Sequence, residues 1–127
     1  MKILALGGNN ISNIKALSKV NFKGLEDLII YDNYISDIEI LSNVNFPKLK
    51  LLNLASNLVT NIEVFKKVNS PELYELNLQQ NQIVDINAFK NCKFKKLFKL
   101  NIKLNKIDIE KNLAIINELK SKLNLFK

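Results

Sequence analysis

The chain has 127 residues, 47% of them apolar, a net charge of +7, one cysteine and no histidine. That length suits one domain with a core, and the apolar share argues against disorder. Without histidine the commonest general base and metal ligand are missing, and one cysteine cannot staple a fold internally, so hydrolytic triads, zinc sites and disulfide scaffolds are disfavoured.

No run approaches the roughly 18 to 20 uninterrupted apolar residues of a membrane span, and Met1 to Leu6 breaks at Gly7-Gly8, short of a signal peptide. A soluble, cytoplasmic protein is the resulting expectation. All 19 basic residues are lysine, and with 20 asparagines and 16 isoleucines this looks like the drift of an AT-rich genome, which weakens any argument from lysine abundance. The charge is unevenly placed: residues 1–88 hold 8 lysines against 9 acids, and residues 89–127 hold 11 lysines against 3.

Taken in order, the chain is ruled by Asn9, Asn33, Asn57, Asn81 and Asn105, which fall 24 residues apart without a slip. The first unit, residues 1–24, places Leu4, Leu6, Asn9, Ile11, Ile14, Leu17, Val20 and Phe22 inward. Residues 25–48, 49–72 and 73–96 repeat the pattern, and 97–109 begin a fifth copy that departs at Glu110, where earlier units have isoleucine. In Leu52-Asn53-Leu54 and Leu76-Asn77-Leu78 apolar and polar side chains alternate, as in a strand with one face inward. After each asparagine the apolar spacing lengthens to three, as in Ile38, Leu41 and Val44, which predicts a short helical or 3-10 turn. Phe22, Phe46 and Phe94 form an aromatic column broken at Ser70. Residues 110–127 read as a cap, in which Ile115, Ile116, Leu119, Leu123 and Phe126 predict a helix started by Asp108 or Asn112.

The pattern L-x-x-L-x-L-x-x-N-x-I-x-x-I, running from residue 1 to about 109, resembles the leucine-rich repeat family. Its spacing is similar to the intracellular, phosphatase-regulator class with two residues added around Asn21-Phe22, Asn45-Phe46 and Asn69-Ser70. The resemblance implies an α/β fold: a right-handed solenoid with a parallel sheet on its concave side and short turns on its convex side. It raises a regulatory-subunit role, but carries over no partner-contact residues.

The five asparagines have a mechanical reading. Where the chain leaves each strand, backbone groups lack ladder partners, and a side-chain amide can both donate to them and accept from them. Inward columns are held by packing, so partner recognition falls to the outward strand positions. These read Ile3, Asp27, Leu51, Glu75, Lys99; Ala5, Ile29, Asn53, Asn77, Asn101; and Gly7, Tyr31, Ala55, Gln79, Lys103. The candidate protein-binding residues are Asp27, Ile29, Tyr31, Asp32, Asn53, Glu75, Asn77, Gln79, Lys99, Asn101 and Lys103; the alternative is that each is an ordinary solvated residue. Charge along this face runs from acidic to basic, which would orient a partner of opposite polarity.

Catalysis, metal binding and a cofactor are not expected. Ser56 and Ser70 have no histidine, Gly7-Gly8 lacks phosphate-loop spacing, and Cys92 shares an inward column with Val20, Val44 and Val68, so it is expected to be buried. Asn13, Asp37, Asn61 and Asp85 share a convex column that reads as a polar ladder or a cation site. The basic C-terminal third leaves nucleic acid or an acidic membrane surface as the alternative partner, with Phe94 and Phe98 assigned to the core or strand border. Self-association through the strand edge at Lys2 to Leu6 is a further expectation.

Overall fold

The computed structural model describes residues 1–127, the side chain of Asn91 excepted. Six three-residue strands form one parallel sheet in chain order: β1 (Ile3–Ala5), β2 (Asp27–Ile29), β3 (Leu51–Asn53), β4 (Glu75–Asn77), β5 (Lys99–Asn101) and β6 (Asn124–Phe126). The register steps by one unit at a time, so that Leu4, Leu28, Leu52, Leu76 and Leu100 stand side by side. In β2 to β5 the central leucine is buried and its two neighbours face outward, which is the period-two pattern at its minimum length.

The chain returns between strands through 3-10 turns at Lys15–Lys19, Glu39–Asn43, Glu63–Lys66 and Asn87–Asn91. Apolar spacing of three suits this geometry, because residues i and i+3 eclipse on a 3-10 turn. The side-chain oxygens of Asn13, Asp37, Asn61 and Asp85 accept the N–H groups of Lys15, Glu39, Glu63 and Asn87 at 2.8–3.0 Å. This polar convex column is thus a row of turn starters. At Asp85 the backbone N–H and side-chain amide of Asn87 hold the carboxylate below its ordinary value of 3.8.

One apolar cluster extends from Ile14 to Leu119. Leu49, Leu54, Leu73, Leu76 and Leu78 are fully buried, and each such leucine stabilises the fold by about 1.5–3 kcal/mol relative to an exposed one. Two positions expected inward in the first unit are exposed: Asn9, and Val20 at 46%. Among the described residues their unit has a neighbour on one side only, and none of these residues covers them. Phe22 stacks on Phe46 with ring centroids 5.9 Å apart, but Phe94 meets Phe65 instead, edge-on at 6.0 Å. Phe65 is itself stacked on Phe89, with ring centroids 6.0 Å apart. Ser70 is 2% exposed, and its hydroxyl has no hydrogen-bond partner among the described residues.

The C-terminal helix α1 spans Leu113–Lys122 and buries Ile115, Ile116 and Leu119. The expected continuation through Leu123 and Phe126 is corrected: Leu123 is extended with φ −150°, and Asn124–Phe126 joins the sheet as β6. Leu125 pairs with Leu100 there, so the last residues satisfy the sheet's backbone groups and its inward column together. Helical spacing and strand alternation coincide over these four residues, and the open edge of β5 decides between them. Asp108 accepts the N–H of Lys111 at 3.2 Å, while Asn112, at the N-cap position, sends its amide elsewhere. Its oxygen accepts the N–H of Ile86 and its Nδ2 donates to Val84 and Asp108, which ties α1 to the preceding unit.

Candidate protein-binding surface

The surface is built on the ladder of asparagines. Asn57 Oδ1 accepts the N–H of Ile35 at 3.0 Å, while its Nδ2 faces the carbonyls of Ile30, Leu54 and Ala55 at 3.0–3.2 Å. Asn33, Asn81 and Asn105 repeat this set, each accepting from a backbone N–H 22 residues back. Each amide therefore bolts its own strand exit to the unit before it. Asn9 donates only within its own unit, to Leu6 and Gly7.

Immediately before each ladder asparagine the backbone is left-handed: φ is +70° at Gly8, +54° at Asp32, +55° at Ser56, +58° at Gln80 and +57° at Leu104. Aspartate and glycine tolerate this region, whereas leucine is strained there. Leu104 is also 68% exposed, so packing does not offset the strain. Sequence columns give no hint of this conformation, since the five residue types differ.

The sheet register brings the predicted outward residues together as written. Asp27, Leu51, Glu75 and Lys99 form one row, and Ile29, Asn53, Asn77 and Asn101 the next. All of these are half-buried, as is Gln79, while Tyr31, Asp32 and Lys103 are exposed. Two residues that sequence reasoning missed extend the rows, Asn124 beside Lys99 and Phe126 beside Asn101. The alternation in Leu123-Asn124-Leu125 was the available signal. The Lys103 ammonium lies over the Phe126 ring, 5.6 Å from its centroid.

The central asparagines have half of their amides committed. Asn53, Asn77 and Asn101 each accept through Oδ1 from the N–H two residues on, at 3.0 Å. An oxygen that faces an N–H must present its Nδ2 on the other side, which fixes the amide orientation. Asn101 gives its Nδ2 to Gln79 at 2.8 Å. Nδ2 of Asn53 and of Asn77 has no acceptor among the described residues, leaving two donors on neighbouring strands in register. Tyr31 packs against Gly7, where an added methyl carbon would fall 2.5 Å from its ring. The missing side chain at Gly7 lets the exposed Tyr31 ring approach the backbone.

Charge divides this surface. Asp27 and Asp32 stand at one end and Lys99 and Lys103 at the other, with no ion pair between Glu75 and its neighbour Lys99 among the described residues. The described residues hold no cluster of three metal-ligating side chains, and no helix is long and apolar enough to cross a membrane. Cys92, expected to be buried, is half-buried and lines a cleft beside α1; partial burial pushes its thiol up.

No protein-family profile matches the chain, and no curated protein matches it. Solved structures do. Internalin C2 of Listeria monocytogenes aligns at a TM-score of 0.74 with 22% identity, over 98% of this chain and 50% of that one. A leucine-rich repeat protein of Leptospira interrogans aligns at 0.78 with 20% identity, over 98% of this chain and 30% of that one. A chain of the Drosophila melanogaster SNF–U2A′ complex aligns at 0.66 with 22% identity, over 98% of this chain and 71% of that one. The chain thus spans half or less of the first two proteins it matches. It has the leucine-rich repeat fold: an open parallel sheet backed by 3-10 turns and closed by a helix.

Proposed function

We propose that the chain is a protein-binding scaffold that holds a segment of a partner protein across its concave sheet. The observation that carries this reading is the pair of in-register amide donors on Asn53 and Asn77, unengaged among the described residues, beside half-exposed Tyr31. Such donors fit the carbonyls of an extended peptide, and tyrosine is a frequent interface anchor. The acidic and basic ends orient the partner. The match to a chain of the SNF–U2A′ complex supports the reading as a precedent for this fold within an assembly. Affinity capture from the native cell is expected to recover a protein partner with the unaltered chain and to lose it with Tyr31→Ala plus Asn77→Ala. Unchanged capture by the double variant overturns the reading.

One observation favours a second reading, binding of single-stranded RNA. Phe98, assigned from sequence to the core or strand border, is 44% exposed and stacks on Tyr74, itself 46% exposed, at 5.5 Å. An exposed aromatic pair in the basic half of the chain suits stacked bases, and a TLR13–ssRNA13 complex is among the structural matches, at a TM-score of 0.67 with 24% identity, over 83% of this chain and 15% of that one. RNA binding that survives moderate salt and is lost with Phe98→Ala supports it; binding that vanishes with salt is charge attraction alone. The exposure of Met1 and Ile3 at the β1 edge supports self-association as a further proposal, which a strict monomer in concentrated sedimentation runs would overturn.

A further inference from the structure

A second surface lies behind the sheet, where α1 meets the fourth unit. There the helix leaves a cleft of about 390 Å³ with Phe89, Phe94 and Leu119 among its walls and Lys90, Lys95 and Lys122 around it. An adjoining cleft of about 310 Å³ shares Lys95 and adds Lys67 and Lys93. Lys122 is paired with Glu118, the one carboxylate of the first cleft, at 2.9 Å. Lys67, Lys90, Lys93 and Lys95 have no carboxylate partner among the described residues. Four lysines without a carboxylate partner among the described residues therefore line two depressions that share Lys95, one of them with recessed apolar side chains in its walls.

We propose that these clefts are a docking site for an acidic protein segment carrying one large apolar side chain, which enters the 390 Å³ cleft while flanking carboxylates meet the lysines. At about 30 Å³ per water the first cleft holds on the order of ten waters, enough room for a phenylalanine or leucine side chain. Charge complementarity selects the acidic partner. A bilayer fits poorly, because Phe89, Phe94 and Leu119 are no more than 7% exposed and do not reach into lipid. Single-stranded nucleic acid fits poorly for the same reason, since stacking needs an open ring face and these rings are covered. The site is separate from the concave sheet and does not depend on it.

Cys92, the only cysteine, lines the first cleft and reports on its occupancy. Burial pushes its thiol up, so alkylation by iodoacetamide is followed at alkaline pH. The probe is a synthetic peptide of aspartate and glutamate with one central phenylalanine, and a twin has alanine in its place. At ten times its Kd the phenylalanine peptide is expected to slow alkylation about tenfold, because about a tenth of the sites remain open. Lys90→Glu with Lys95→Glu is expected to weaken that Kd tenfold or more, and Lys90→Gln with Lys95→Gln serves if the first pair melts early. Tyr31→Ala plus Asn77→Ala leaves the protection intact, which separates this site from the concave one. No protection by the peptide overturns the proposal, as does equal protection by the alanine twin. A single-stranded oligonucleotide or phosphatidylserine vesicles protecting Cys92 better than the peptide also overturn it.

Discussion

One residue type does several jobs in this chain, and geometry decides which. At 33, 57, 81 and 105 an asparagine joins two units through backbone bonds on both halves of its amide. At 53, 77 and 101 it accepts from its own strand end, with its nitrogen turned outward at 53 and 77 and bonded to Gln79 at 101, and at 112 it anchors the helix. Aspartate cannot replace the first kind, since a carboxylate has no donor for the three carbonyls. Asn57→Ala is expected to cost on the order of 1–3 kcal/mol in urea unfolding, the penalty for stranding buried backbone groups. Asn9→Ala is expected to cost less, because Asn9 is exposed and serves only its own unit. Equal losses for the two would mean that the amide acts through local turn geometry alone.

Among the elements, the four short turns and five of the strands were legible from spacing, since the change from period two to period three falls at each asparagine. The last strand was not, because Leu123 and Phe126 also complete a helical face and only the free edge of β5 breaks the tie. Cys92 was misjudged for a related reason: its column is covered at Val44 and Val68 by the next unit, whereas at Cys92 the cover is a helix that leaves a gap. The surface rows were legible as positions but not as chemistry, for the sequence cannot say that the oxygens of Asn53 and Asn77 are already occupied. Asn112 lies off the ruler and is 2% exposed, so its anchoring role emerges only from the fold. Asn112→Ala is expected to cost about 1–3 kcal/mol and to loosen α1 first. Faster alkylation of Cys92 with little change in the sheet's amide exchange would show this, and uniform destabilisation would count against it.

Across the whole molecule, the strand and ladder-asparagine bonds reach one unit and no further, so stability is close to a sum over neighbours. Removing residues 49–72 joins Lys48 to Leu73, and Asn81 then falls where Asn57 stood, facing Ile35 and Ile30. Phe94 also comes to follow Phe46 in the aromatic column, without the interruption at Ser70. This shortened chain is expected to fold cooperatively with a lower melting temperature, as read by circular dichroism. Removing 49–71 instead shifts the following strand by one residue, turns its inward side chains to solvent, and is expected to abolish the transition. The joints between units are thus interchangeable, while the outward rows are not. If the shortened chain folds as expected, a gene with this period would gain or lose one copy through misaligned recombination and still encode a folded protein. Each such event moves the acidic and basic ends of the outward face nearer together or farther apart, so on the proposed function partner choice would drift by whole units while the fastening stays constant.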